Sequence, residues 1–311
     1  MIGLPLVYTL AGLVFLAFAV LSLRDASSAK RWGNAAFWGL LALSMLAGDR
    51  LGDFGNGLLV LALVAIAGTG QLGRGTGGTT PEQRAERAGR YGNRLFLLAL
   101  VIPATVLAGT FGFEHLPGLV NPKQVTLVSL ALGAVIALVV GLVWLRPHPA
   151  APLQEGRRLM DSVGWAAILP QMLASLGAVF ALAGVGDVVG QLMAGVIPAG
   201  SRLGAVIAFT LGMALFTMVM GNAFAAFPVM AAAIAVPLLI HQYGGDPAAV
   251  CALGMLAGFS GTLMTPMAAN FNMVPAALLE LKDRNAVVKA QVGTALPLLA
   301  INTLFIWWFA F

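Results

Sequence analysis

Gly221-Asn222-Ala223-Phe224-Ala225-Ala226-Phe227-Pro228, and Gly258-Phe259-Ser260-Gly261-Thr262-Leu263-Met264-Thr265-Pro266 running on to Asn270-Phe271-Asn272, interrupt two long apolar runs between Leu203 and Pro275. Clustered glycine, proline and amide residues weaken a helix. In a bilayer, backbone released from helical bonds is tolerated only where protein or a water-filled cavity satisfies it. Paired interrupted segments are a sequence pointer to a transport site at mid-membrane depth. These stretches therefore predict two spans broken in mid-membrane, with a site where the breaks meet.

The rest of the composition agrees with a membrane setting. Of 311 residues, 59% are hydrophobic and 9% charged, and the mean hydropathy is +0.92. The chain reads as one all-α, polytopic domain with room for roughly eight to ten spans of about 20 residues. The sole cysteine, Cys251, lies in an apolar run, which excludes an internal disulfide. The net charge of +5 does not imply nucleic acid, because Lys and Arg sit in loops between apolar runs and act as topology signals. Residues 1–23 carry no charged side chain, and no basic residue precedes the apolar core as in a cleaved signal peptide. Although Ala17-Phe18-Ala19 has the small-residue pattern of a cleavage site, this segment is expected to be the first span.

Five plain spans are expected at 3–23, 32–48, 54–73, 95–113 and 125–145, forming a scaffold over 1–145. Their loops alternate between rich and poor in basic residues. Arg24, Lys30 and Arg31 come first, then Arg50 alone, then Arg74, Arg84, Arg87, Arg90 and Arg94, then Lys123 alone, then Arg146, Arg157 and Arg158. By the positive-inside rule, the loops at 24–31, 74–94 and 146–161 are cytoplasmic and the N-terminus is outside. Asp49, Arg50 and Asp53 mark a span boundary. Pro81 to Arg87 could form a short amphipathic helix on anionic lipid, although a solvated, orienting loop is the simpler reading. Gly73-Arg74-Gly75-Thr76-Gly77-Gly78 lacks the Lys-Ser/Thr of a phosphate loop and follows no strand, so no nucleotide or other cofactor is expected.

Arg157 and Arg158 are assigned inside, and Arg202 is most economically inside too, so 163–201 must enter and return on one side. The stretch from Val188 to Gly200 is too short to span about 30 Å. A re-entrant hairpin follows, from Leu169 to Met193, with Pro170, Gln171, Ser175 and Gly177 in its first arm or near its tip. From Leu203 to Ile240 a single helix broken at Gly221-Asn222 fits. The loop His241 to Pro247 lacks Lys and Arg and is placed outside. Ala248 to Leu279 returns through the second break to Lys282, Arg284 and Lys289, and 290–311 is the last span, with Trp307 and Trp308 at the outer interface. This gives about eight spans plus a hairpin, with 163–279 as the transport region and both termini outside.

Asn222 can offer a donor and an acceptor to a ligand, or instead hold the bundle together by an interhelical hydrogen bond. Ser260, Thr262, Thr265, Asn270 and Asn272 make the second break polar, while Gly221, Gly258, Gly261 and Pro266 release backbone. Hydroxyls, amides and a half-helix N-terminus suit a small carboxylate, and freed carbonyls suit a Na+ near Asn222 or Asn270. Ser175 and Gly177 would close the site from the hairpin tip. Two protease-like strings fail on partners. Gly258-Phe259-Ser260-Gly261 has no histidine after Ser260 to serve as base, the three histidines being His115, His148 and His241 in loops or at span ends. Gly184-Val185-Gly186-Asp187 lacks a second carboxylate in an apolar span. Asp187 is expected at the mouth of the hairpin, paired or wet, with a coupling-proton role as the alternative. No enzymatic activity is expected.

The runs Phe37 to Leu43, Gly48 to Phe54, Gly164 to Gly177, Met220 to Pro228 and Gly261 to Asn272 resemble a bacterial membrane family catalogued as a domain of unknown function, number nine-seventy-nine, over essentially the whole chain. The resemblance implies a subunit of an ion-coupled secondary transporter for pyroglutamate (5-oxoproline) in the inner membrane, working by alternating access beside a smaller membrane subunit. More distantly, the chain is similar to gluconate and dicarboxylate carriers of the ion-transporter superfamily, in which two inverted halves each give a hairpin and a broken helix. A single hairpin here makes a partner supplying the other half an attractive reading. The coupling ion, Na+ or H+, stays open. A non-transporting assembly or anchoring subunit is the alternative, and an intramembrane hydrolase a remote third.

Overall fold

The computed structural model describes residues 2–73, 75, 79–116, 118–195, 197–198, 200–279 and 281–311. It is 82% helical, with no strand among the described residues, and eight helices are long and apolar enough to cross a membrane. The all-α, polytopic expectation holds. Two compact units divide the chain, Met1–Gly164 and Trp165–Phe311.

The first unit contains α1 (Leu4–Arg24), α2 (Arg31–Gly68), α3 (Pro81–Tyr91), α4 (Leu95–Glu114), α5 (Val125–Leu145) and α6 (Ala151–Val163). Run straight, α2 would separate residues 33 and 71 by roughly 57 Å. Instead Gly33 lies on the Gln71 backbone, and Asn34 gives 2.7 Å and takes 2.9 Å hydrogen bonds with Gly73. The reversal falls at Gly52, whose φ of 63° and ψ of −177° suit only glycine. The two spans expected on either side of Arg50 are thus the arms of one tight helical hairpin. Gly12 against Leu46 and Gly39 against Ala19 set α1 antiparallel to its first arm, while Gly109 against Ser129 and Gly141 against Leu98 pair α4 with α5.

The three loops richest in basic residues meet at one end of this unit. Arg157 lies 3.0 Å from Asp25 and 3.6 Å from Asp161, and Trp38 Nε1 donates to Asp161 at 2.7 Å. Lys30 reaches the Leu72 carbonyl, and the Thr79 hydroxyl donates to Glu155. At the opposite end Ile2 bridges to Val120, and Leu4 N–H donates to Gln124. The alternation of ends therefore matches the charge count. Pro81–Tyr91 is helical, started by a Thr80–Gln83 capping box. Arg74, Thr76, Gly77 and Gly78 of the glycine-rich string lie outside the described residues.

The second unit holds α7 (Leu169–Leu182), α8 (Val185–Ala194), α9 (Arg202–Met220), α10 (Ala223–Met230) continuing into a π-helix (Ala231–Gln242), and α11 (Pro247–Leu263). A short π-helix (Ala269–Met273), α12 (Val274–Leu278) and α13 (Ala286–Phe309) complete it. Here two expectations exchange places. Gly221-Asn222 does not interrupt a continuing span; it reverses the chain, so that the Met230 side chain packs on Gly212 and α9 lies along both α10 and its π continuation. The supposed hairpin, in turn, is a single interrupted crossing. Gly177 packs on Ala225, Gly186 on Ala232, Gly190 on Ala233, and Ile197 and Gly200 share a groove with Leu238 and Gln242. That ordered advance makes α7 and α8 successive segments running the same way, joined at Ala183 and Gly184.

The cause is Arg202. Its guanidinium sits 5.9 Å from the Trp307 ring centroid and 4.8 Å from that of Phe311, and Asp246 N–H donates to Ala310 O at 2.7 Å. Arg202, the loop at 243–246 and the last residues share one end, so the assignment of Arg202 and the loop to opposite sides fails. A lone arginine held by aromatic faces says little about topology. The second break does interrupt a span. From a start level with Ala310, α11 runs roughly 25 Å against roughly 36 Å for α13, and residues 269–279 cover the remainder.

Two outcomes test this architecture. In a Cys251→Ser background, Ser201→Cys and Phe311→Cys should react with an impermeant maleimide from the same side of sealed vesicles and Asp283→Cys from the other. Arg157→Ala should lower unfolding stability by about 3–5 kcal/mol, because it leaves buried carboxylates uncompensated, whereas Lys289→Ala, which breaks only the exposed pair with Asp283, should leave the melting midpoint unchanged.

Candidate functional site

Three helix ends converge in the second unit: the C-termini of α9 and α11 and the N-terminus of α10. Gly221 has φ 77° and ψ 0°, and a β-carbon there would lie 2.5 Å from the Met267 carbonyl oxygen. Only glycine meets both conditions. Asn222 follows in extended conformation, 3% exposed, and its Oδ1 accepts from Phe224 N–H at 2.7 Å as the N-cap of α10.

The other two ends are capped across the junction. Thr265 Oγ1 donates to Met218 O at 2.9 Å, closing α9, and accepts from Met267 N–H at 3.2 Å. Asn272, fully buried, donates from Nδ2 to Thr262 O at 2.9 Å and Thr265 O at 2.7 Å, closing α11. Small residues permit the approach: Gly261 rests on the Ala214 backbone, and a β-carbon at Gly258 would lie 2.7 Å from the Met213 methyl, 3.0 Å from Ala223 Cβ and 3.3 Å from Thr217 Oγ1. Phe224, Phe259 and Phe271 pack ring to ring at 5.9 and 6.1 Å beside it.

Of the residues predicted from sequence, Gly221, Asn222, Gly261, Thr262, Thr265 and Asn272 meet at this junction, although Thr262 spends its hydroxyl on the carbonyl of Gly258. Ser260 is buried, with its hydroxyl on Leu256 O of its own helix. Asn270 is half-buried, and its side chain makes no hydrogen bond among the described residues. Ser175 and Gly177 are not at a tip. Ser175 is exposed and bonds back to Gln171 O, while Gly177 packs against Ala225 and the Phe224 carbonyl, where a side chain would wedge α7 off α10.

What the caps leave over defines the site. Among the described residues, Asn272 Oδ1 and Thr217 Oγ1 are buried without a hydrogen-bond partner, and Asn222 Nδ2, which is not fully buried, makes no hydrogen bond. Each unmet buried group costs about 1–3 kcal/mol, large against a typical stability of about 5–15 kcal/mol. These groups are an amide donor, an amide acceptor and a hydroxyl, the chemistry that a small polar molecule or an ordered water would satisfy. Thr217 was not predicted. Its signal was its spacing, one helical turn before Gly221.

Fold and junction together define a multi-pass α-helical membrane protein with a polar centre built from helix ends. The chain belongs to the family described as Protein of unknown function (DUF979), which matches residues 5–311. No curated protein and no solved structure matches it.

Asn272→Leu should remove both caps and lower stability by about 2–6 kcal/mol, two buried carbonyls being left unpaired. Asn222→Ala should cost about 1 kcal/mol, the worth of one N-cap. Denaturant unfolding of both variants in detergent measures the difference.

Proposed function

We propose that this protein is the membrane subunit of a secondary transporter for a small carboxylate, with pyroglutamate as the substrate to test first. The observation that carries this reading is the set of unmet polar groups at the junction, Asn222 Nδ2, Asn272 Oδ1 and Thr217 Oγ1. A five-membered lactam acid offers a carboxylate, a ring N–H and a ring carbonyl. Of the three helix ends, the two negative ones are closed by Thr265 and Asn272, and the positive end of α10, which Asn222 caps at Phe224 N–H alone, is the one whose charge favours an anion. Pyroglutamate itself enters from the family resemblance. In this reading the protein lies in a bacterial inner membrane, the ends bearing Arg24 to Arg31 and Lys282 to Lys289 face the cytoplasm, and a smaller subunit completes the carrier. In this reading it performs no chemistry, which the bonding of the Ser260 hydroxyl back to Leu256 O supports.

Most polar side chains here act as caps, and that favours a second reading in which the chain is an assembly subunit and another protein carries the solute. Uptake of labelled pyroglutamate into proteoliposomes, with this chain alone and with its smaller partner, separates the two under imposed Na+ or proton gradients. The transport reading expects gradient-driven uptake that Asn222→Ala lowers about tenfold, the loss of one well-placed hydrogen bond, with expression retained. Uptake indifferent to Asn222→Ala and Thr217→Val would support the assembly reading.

A further inference from the structure

A cleft of about 450 Å³ opens in the first unit where α3 ends, α4 begins and α5 stops. Arg84, Arg87, Arg90 and Arg146 line it, with no carboxylate among the described lining residues, and Leu95 and Leu145 supply its apolar part. Local spacing and one ring contact bring these residues together. Residues 84, 87, 88 and 91 recur three or four apart and so share one face of α3, while Glu82 and Glu86, at 100° per residue, fall on the opposite face. The Tyr91 ring meets the Trp144 ring edge to face at 5.8 Å, which sets the end of α3 against the end of α5, with Arg146 two residues beyond that contact. Arg84 also donates to the Thr79 carbonyl at 3.2 Å, and the Arg90 guanidinium lies 5.6 Å from the Tyr91 ring centroid. Arg87, Arg90 and Arg146 are exposed and form no ion pair among the described residues.

Four arginines around one cleft repel one another, and no described lining residue offsets them. Arg146 adds strain. With φ 44° and ψ 50° it is, among the described residues, the one residue other than glycine in left-handed conformation. A helix end needs no charge there, and glycine fills the position without the cost. The cleft also has a definite depth. Because α4 starts at Leu95, α5 ends at Leu145 and both are long enough to cross a bilayer, it lies at the level of lipid headgroups. Tyr91 and Trp144 are residue types that belong at that interface. No described side chain of α4 is fully buried, which leaves the helix below the cleft open to acyl chains. From these observations we infer that the cleft is a binding site for the phosphate-bearing headgroup of an anionic phospholipid. Arg87, Arg90 and Arg146 meet the phosphate, a group that guanidinium recognises well, and Leu95 and Leu145 meet the apolar part of the lipid. A solvated loop that only orients the protein would need neither the Tyr91–Trp144 contact nor an arginine in strained backbone. The site is separate from the junction at Gly221 and does not depend on the transport reading.

The test uses purified full-length protein, delipidated in neutral detergent. Native mass spectrometry measures binding of phosphatidylglycerol and of phosphatidylcholine to wild type, Arg87→Gln, Arg90→Gln and Arg146→Gly. Arg24→Gln, an exposed arginine at the same end of the unit but outside the cleft, is the control. The expected result is a saturable phosphatidylglycerol complex, absent with phosphatidylcholine, whose affinity falls about fivefold with each cleft substitution and is unchanged in Arg24→Gln. Arg146→Gly should lose lipid affinity without lowering the melting midpoint in lipid-free detergent, since glycine relieves the left-handed backbone. That separates loss of a ligand from loss of the fold. Equal binding of the two lipids overturns the proposal, as does absence of a saturable complex or a loss no greater in the cleft variants than in Arg24→Gln. Displacement of the lipid by inorganic phosphate at comparable concentration overturns it too, because the cleft would then be a site for a soluble anion.

Discussion

In hydrocarbon the ends of a helix have no water to bond, so a chain that turns inside the apolar layer must bring its own hydrogen-bond partners. The junction at Gly221 meets that constraint by exchange. Thr265, after α11, closes α9; Asn272, further on, closes α11; Asn222 opens α10. Each cap is polar and buried, and Asn272 also holds the Thr265 carbonyl, so none can be removed without leaving a carbonyl or amide unpaired. Close packing of Gly261 on Ala214 and of Gly221 on Met267 holds the three ends within reach.

This constraint explains why the junction was partly legible before the structure. Residues that break a helix and residues that repair the break must be neighbours, and the sequence around 221–228 and 258–272 contains both. The boundaries of Val125–Leu145 and the turn near Arg50 were equally plain, since uninterrupted apolar length and a lone charge leave few options. Direction was not legible. A Gly-Asn pair allows either a bend or a full reversal, and only packing of Met230 on Gly212 selects the reversal. Counting charges then compounded the error, because Arg202 finds its partners, Trp307 and Phe311, a hundred residues later. Thr217 escaped notice for a related reason: a threonine inside a helix is ordinarily satisfied by its own backbone, and its position against Gly258 and Ala223 is tertiary.

The two units solve different problems. In the first, a buried cluster of Asp25, Arg157, Asp161 and Trp38 ties loops together at one end, an arrangement that fixes register at the cost of desolvation. In the second, polar side chains close helix ends inside the helical layer, and among the described residues Thr217 Oγ1 and Asn272 Oδ1 are left without a partner, as Ser22 Oγ and Ser129 Oγ are in the first.

The most direct test of the central claim, that the junction is a solute site, is an experimental structure determined with saturating pyroglutamate and compared with one determined without it. The account predicts solute density among Asn222, Asn272 and Thr217, with the Thr265 and Asn272 caps intact. A junction identical and dry in both structures, with solute absent or bound elsewhere, would contradict it.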